Sequence, residues 1–175
     1  MTRRQALKWV HWSIVPLLVW FLLVRPSDVA RVGSWAVKLH FVLGFVVVTL
    51  ALGWTADYLR RGFAGPPGPK LPDWGRVLHR TLHRALIWGL FAVAGTGFML
   101  GLSLVAQLWT NGFEAGATSL GMPSSDRLVA QVYAIELDLL IMIVGLHVGF
   151  HVWRHFALRD KALHIMAPRK LHRFL

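Results

Sequence analysis

Five of the nine histidines, His11, His40, His83, His147 and His151, fall within or at the edge of long apolar stretches. An ionisable side chain in hydrocarbon costs on the order of a few kcal/mol, so such residues face a bundle interior and act there. A neutral imidazole is also the commonest metal ligand. The chain has no cysteine, which excludes a disulfide framework, thiolate zinc, iron–sulfur clusters and covalent c-type haem together. A metal here is held by histidine, methionine or oxygen. His147, His151 and His155 recur every four residues and share one helical face, so only one of them can face a given iron. One turn separates His147 from His151 by about 6 Å, and the spacing leaves open which is the ligand. His83 and His155 lie beside arginines, where a hydrogen bond across helices is the simpler reading. His164 and His172 belong to a basic tail and are expected to be solvated.

These residues need rigid carriers. The 175 residues are 55% hydrophobic and 15% charged, a balance that excludes an ordinary soluble or disordered chain and points to an integral membrane protein. A crossing helix needs about 20 apolar residues, and four stretches qualify: Trp9–Val24, Trp35–Trp54, Ala85–Leu108 and Leu128–Trp153. Pro16 interrupts the first, which membrane helices tolerate. Glu136 and Asp138 open the fourth. The run from Arg60 to Lys70, with its clustered glycine and proline, cannot sustain a helix and reads as a loop outside the bilayer. No small-residue cleavage site follows the first apolar run, so it is kept as a span rather than a signal peptide. The expected fold is all-α: one four-span membrane bundle over residues 1–175, with no repeat or second domain.

Of the 19 Lys and Arg, 15 lie in the N-terminus, the 55–84 connection and the tail from Arg154 onward. By the positive-inside rule that side is the cytoplasm, which places both termini inside. The net charge of +11 is thereby explained by span ends against lipid headgroups, without nucleic acid as a partner. Trp12, Trp54, Trp109 and Trp153 are placed as interfacial anchors.

Topology sets the depths of the histidines. His11 lies about one turn inside the cytoplasmic face on an outward-running helix, and His147 about 10 Å deep on an inward-running one. Two histidines at matched depth on different helices suit axial ligands on opposite faces of one b-type haem. His40 enters from the other side and cannot share that haem. Gly145 and Gly149 flank His147, and Gly44 follows His40 by four. These glycines read either as room for a flat macrocycle or, for the pair around His147, as close helix packing.

Several local runs resemble the bacterial cytochrome b561 family, small four-helix di-haem proteins related to the cytochrome b subunits of hydrogenases and formate dehydrogenases. They are Lys8-Trp9-Val10-His11-Trp12, Lys38-Leu39-His40 with Gly44, Thr81-Leu82-His83, and Gly145-Leu146-His147 leading through His155 and Arg159-Asp160-Lys161 to Met166-Ala167-Pro168-Arg169-Lys170. The resemblance covers nearly the whole chain. It implies an inner haem on His11 and His147, and an outer haem on His40 with a fourth-span histidine four turns before His147. That position is Tyr133, and no histidine occurs between His83 and His147. Three arrangements remain: an inner haem alone, an outer haem on His40 by itself or with Tyr133, or a partner subunit completing the site. Neutral tyrosine is a poor iron ligand, so the inner haem alone ranks first, with His40 bonded to a quinone or a neighbouring helix.

The expected function is electron transfer in the bacterial inner membrane between a quinone and a redox partner, with Arg84 or Arg154 as candidate propionate partners. An oxidoreductase that oxidises superoxide and passes electrons to ubiquinone is an alternative. It is disfavoured by the missing outer ligand and by the acidic connection of Glu114, Asp126, Glu136 and Asp138. An accessory subunit docking a partner through Trp109–Arg127 is another. The protein could also work as a dimer.

Overall fold

The computed structural model describes residues 2–63, 65, 68–111, 124–160 and 162–163. Among them are five helices: α1 (Arg3–Leu23), α2 (Pro26–Val32), α3 (Ser34–Arg61), α4 (Asp73–Asn111) and α5 (Ser124–Ala157). Four of these, all but α2, cover the expected apolar stretches, α1 ending one residue short at Leu23, and are long and apolar enough to cross a membrane. The fold is an all-helical four-span bundle, and the chain reads as a multi-pass membrane protein. Large apolar side chains such as Val42, Met142, Leu146 and Phe156 are exposed along the spans, as a lipid-facing surface requires.

Local chemistry sets the helix ends. Thr2 and Gln5 form a reciprocal capping box at the start of α1. The helix continues through Pro16 and stops at Val24, two residues before Pro26, where the next proline opens α2. This short helix is held by Asp28, whose carboxylate accepts from the Arg25 N–H at 2.9 Å. It was not expected from the apolar pattern, because seven residues are too few to show a period. Gly62 ends α3 at φ +66°, a left-handed conformation that favours glycine.

The largest departure from the apolar pattern is the start of α4. The helix begins at Asp73, directly after Pro72, twelve residues before the apolar run at Ala85. Asp73 in the first turn complements the helix dipole, and Arg76 donates from Nε to the Leu71 carbonyl at 3.1 Å. Hydropathy reports where lipid begins, whereas the chemistry of the first turn decides where the helix begins.

α4 packs most extensively on α5, then α3 on α4, and α1 rests against α3. The start of α1, the end of α3, the start of α4 and the end of α5 share one end of the bundle. Arg3 donates to Asp57 at 2.8 and 2.9 Å and to the Gly62 carbonyl at 2.6 Å, and Lys70 donates to the Arg159 carbonyl at 3.0 Å. Leu71, Leu82 and Phe150 form a small buried cluster there, covered by Trp153 and Leu158. Arg154 runs beneath it, 2% exposed, and donates from Nε and Nη2 to Asp160 at 2.8 and 2.6 Å.

Candidate functional site

The histidines assemble through antiparallel register. On α4, His79 and His83 stand six and ten residues from the helix start; on α5, His151 and His147 stand six and ten residues from its end. At 1.5 Å per residue these are depths of about 9 and 15 Å, so the two pairs meet level by level. The rings of His83 and His147 lie 4.8 Å apart between centroids, His79 and His83 4.1 Å, and His147 and His151 4.5 Å. His79 and His151 are 5.9 Å apart. His11 of α1 lies within electrostatic range of His83, His147 and His151. Of the five histidines singled out in the sequence, four therefore gather at one end of the bundle.

His79 is the site residue that sequence reasoning missed, because it precedes the apolar run of the third span. The signal was present in the i, i+4 spacing of His79 and His83, which a helix starting at Asp73 turns to one face.

Polar accounting sharpens the site. The Nδ1 of His83 lies 2.7 Å from the His79 carbonyl. A proton on that nitrogen leaves Nε2 bare as a ligand atom, the usual way a ligating imidazole is oriented. His83 is thus tied to its own helix rather than across helices. The Nδ1 of His147 and the Nε2 of His151 are buried and have no hydrogen-bond partner among the described residues. Buried polar atoms are normally satisfied, and two such nitrogens side by side mark a place for a ligand.

His40 lies apart from this group. It is 8% exposed, its Nδ1 accepts from the Trp20 indole N–H at 3.4 Å, and Phe21 meets its ring edge-on at 4.7 Å. Tyr133 packs on α4 instead: a Cβ at Gly97 would come within 3.2 Å of its ring.

Other sequence expectations change role. Arg154 is paired inside the protein with Asp160 and is not available to a propionate. The guanidinium of Arg84 lies 5.9 Å from the Phe63 ring, and Phe63 in turn meets His83 edge-on at 6.3 Å. Trp12 and Trp54 flank His11 edge-on at 5.9 and 6.1 Å, so both belong to its surroundings. Trp153 stacks on Phe150 at 5.7 Å. A Cβ at Gly145 or Gly149 would meet nothing within 4 Å. Two residues of helix turn these glycines some 160° from His147, so they neither pack a described helix nor cradle a ring at that histidine. Glu136 is not a free surface charge: its carboxylate accepts from the Thr96 hydroxyl at 2.6 Å. His164, His172, the Met166–Lys170 run and residues 112–123 of the long connection lie outside the described residues.

Compared with known protein families, curated proteins and solved structures, the chain matches none.

Proposed function

We propose that the protein is a b-type cytochrome of the cytochrome b561 kind in a bacterial inner membrane, passing single electrons between a quinone and a redox partner. The observation that carries this reading is the gathering of His11, His83, His147 and His151 over two adjacent helical turns at one end of the bundle, with the Nδ1 of His147 buried and unsatisfied. The donor set is all-imidazole, with neither thiolate nor carboxylate in the ring cluster, and suits haem iron.

When bound, haem b supplies a one-electron ferric/ferrous couple. His147 and His11 hold it from α5 and α1, two helices that make no contact as extensive as that between α4 and α5. Trp12 and Trp54 meet His11 edge-on and Phe63 meets the neighbouring His83, aromatic surroundings that limit water and keep the local dielectric low. Arg84 is the arginine left to meet a carboxylate at that level. The basic residues gathered where α1 starts and α5 ends support a cytoplasmic assignment of that end.

His40 supports the count of one haem. Accepting from Trp20 at Nδ1 places its own ring proton on Nε2, which makes that nitrogen a donor to a quinone oxygen rather than a bare ligand. The test is haem per polypeptide on detergent-purified protein, by pyridine haemochrome assay with a reduced-minus-oxidised spectrum. One non-covalent haem b per chain, lost in His147→Ala and His11→Ala, is expected. A folded preparation with no haem after growth with excess haem precursor overturns the assignment.

A further inference from the structure

We infer that His79, His83 and His151 form a separate site for one divalent first-row transition metal ion, and Zn2+ is the ion their chemistry fits. One ring nitrogen from each lies within 4.8 Å of the others. An ion equidistant from three nitrogens at that spacing stands about 2.8 Å from each, so the rings need to close by under ~1 Å to reach Zn–N bonds of about 2.0–2.1 Å. Histidine side chains make such a change by small χ rotations within one rotamer well.

Three features favour a metal over a simple stack of imidazoles. His79 and His83 are an i, i+4 pair on α4, the spacing by which one helix face presents two imidazoles to a single ion. The His83 ring is already oriented by the His79 carbonyl at 2.7 Å, a partner of the kind that fixes the tautomer of zinc-bound histidine. The Nε2 of His151, facing them from α5, is buried with no partner among the described residues. Hydrogen bonding within the cluster does not satisfy it, and a cation does.

The absence of thiolate and carboxylate from the triad argues against Ca2+ or Mg2+, which take oxygen ligands. Three neutral imidazoles leave a fourth tetrahedral position open, for water or for an incoming group. The ion would join α4 to α5 near the bundle end where Arg154 and Asp160 already hold the chain. The triad shares His83 and His151 with the group read above as facing haem, but it uses none of the nitrogens of His11 or His147, the two histidines assigned to the iron.

The experiment uses full-length protein carrying no polyhistidine tag, dialysed against Zn2+ in detergent, with zinc and iron counted in the same sample by elemental mass spectrometry. The wild type should retain one zinc per chain at micromolar free Zn2+ and unfold at a higher temperature with the ion than without. His79→Ala and His151→Ala should each weaken zinc retention at least tenfold and abolish the thermal shift, and His79→Ala, which lies outside the group read as facing haem, should keep haem content at the wild-type level. His147→Ala should lose haem and keep zinc, and the tail double variant His164→Ala/His172→Ala should keep both. Zinc retention that survives His79→Ala, or is lost in the tail variant alone, overturns the triad. Zinc without haem in the wild type upholds the triad and sinks the cytochrome reading; haem without zinc does the reverse.

Discussion

Removing Asp160 should destabilise this bundle more than any exposed charge change. Its carboxylate receives Nε and Nη2 of Arg154 at 2.8 and 2.6 Å, and its other oxygen accepts the Ala162 N–H at 2.9 Å. The two side chains are 2% and 3% exposed. A Cβ at Gly68 would collide with the guanidinium, so the backbone before α4 lies directly against the pair. Breaking a buried pair by deleting one partner costs about 3–5 kcal/mol, because an uncompensated charge stays behind. At roughly 2–4 °C per kcal/mol for a chain of this size, Asp160→Ala should lower the unfolding temperature by about 6–20 °C. Deleting both charges removes that penalty, so Arg154→Leu/Asp160→Ala should recover at least half of the loss. Thermal unfolding in detergent, followed by intrinsic tryptophan fluorescence, reads both. Unfolding of Asp160→Ala within about 2 °C of wild type, or a double variant that falls by the sum of the two single ones, would show that no uncompensated buried charge is left behind.

Three further outcomes follow from the same geometry. Thr96→Val should cost about 1–2 kcal/mol in thermal unfolding, since it strips the 2.6 Å donor from an intramembrane carboxylate, whereas Thr96→Ser should match wild type. Asp57→Ala breaks a pair whose side chains are 27% and 24% exposed; its effect should be about 0.2–1 kcal/mol and should shrink in high salt, which unfolding at two ionic strengths will show. His40→Ala should leave haem content unchanged, measured by pyridine haemochrome, because its Nδ1 is bonded to the Trp20 indole and it lies apart from the other histidines; a fall by half would mean that His40 ligates a second haem.

Much of this was legible in the chain because bilayer thickness acts directly on sequence. Four apolar runs determined the helical class and the number of spans before any packing was known. The repeat at His147 and His151 determined that both share a face. The partners of that face were a different matter. Lipid tails are as apolar as leucine, so hydropathy carries no contrast between a helix face turned to lipid and one turned to protein. Only the antiparallel register of α4 and α5 decided that His79 meets His151 and His83 meets His147. The same packing decided that Arg154 is spent on Asp160 and that Trp12 and Trp54 flank a histidine. Such contacts join residues far apart in the chain, and their existence depends on helix rotation and start points, which local chemistry such as Pro72 followed by Asp73 sets and apolar periodicity does not.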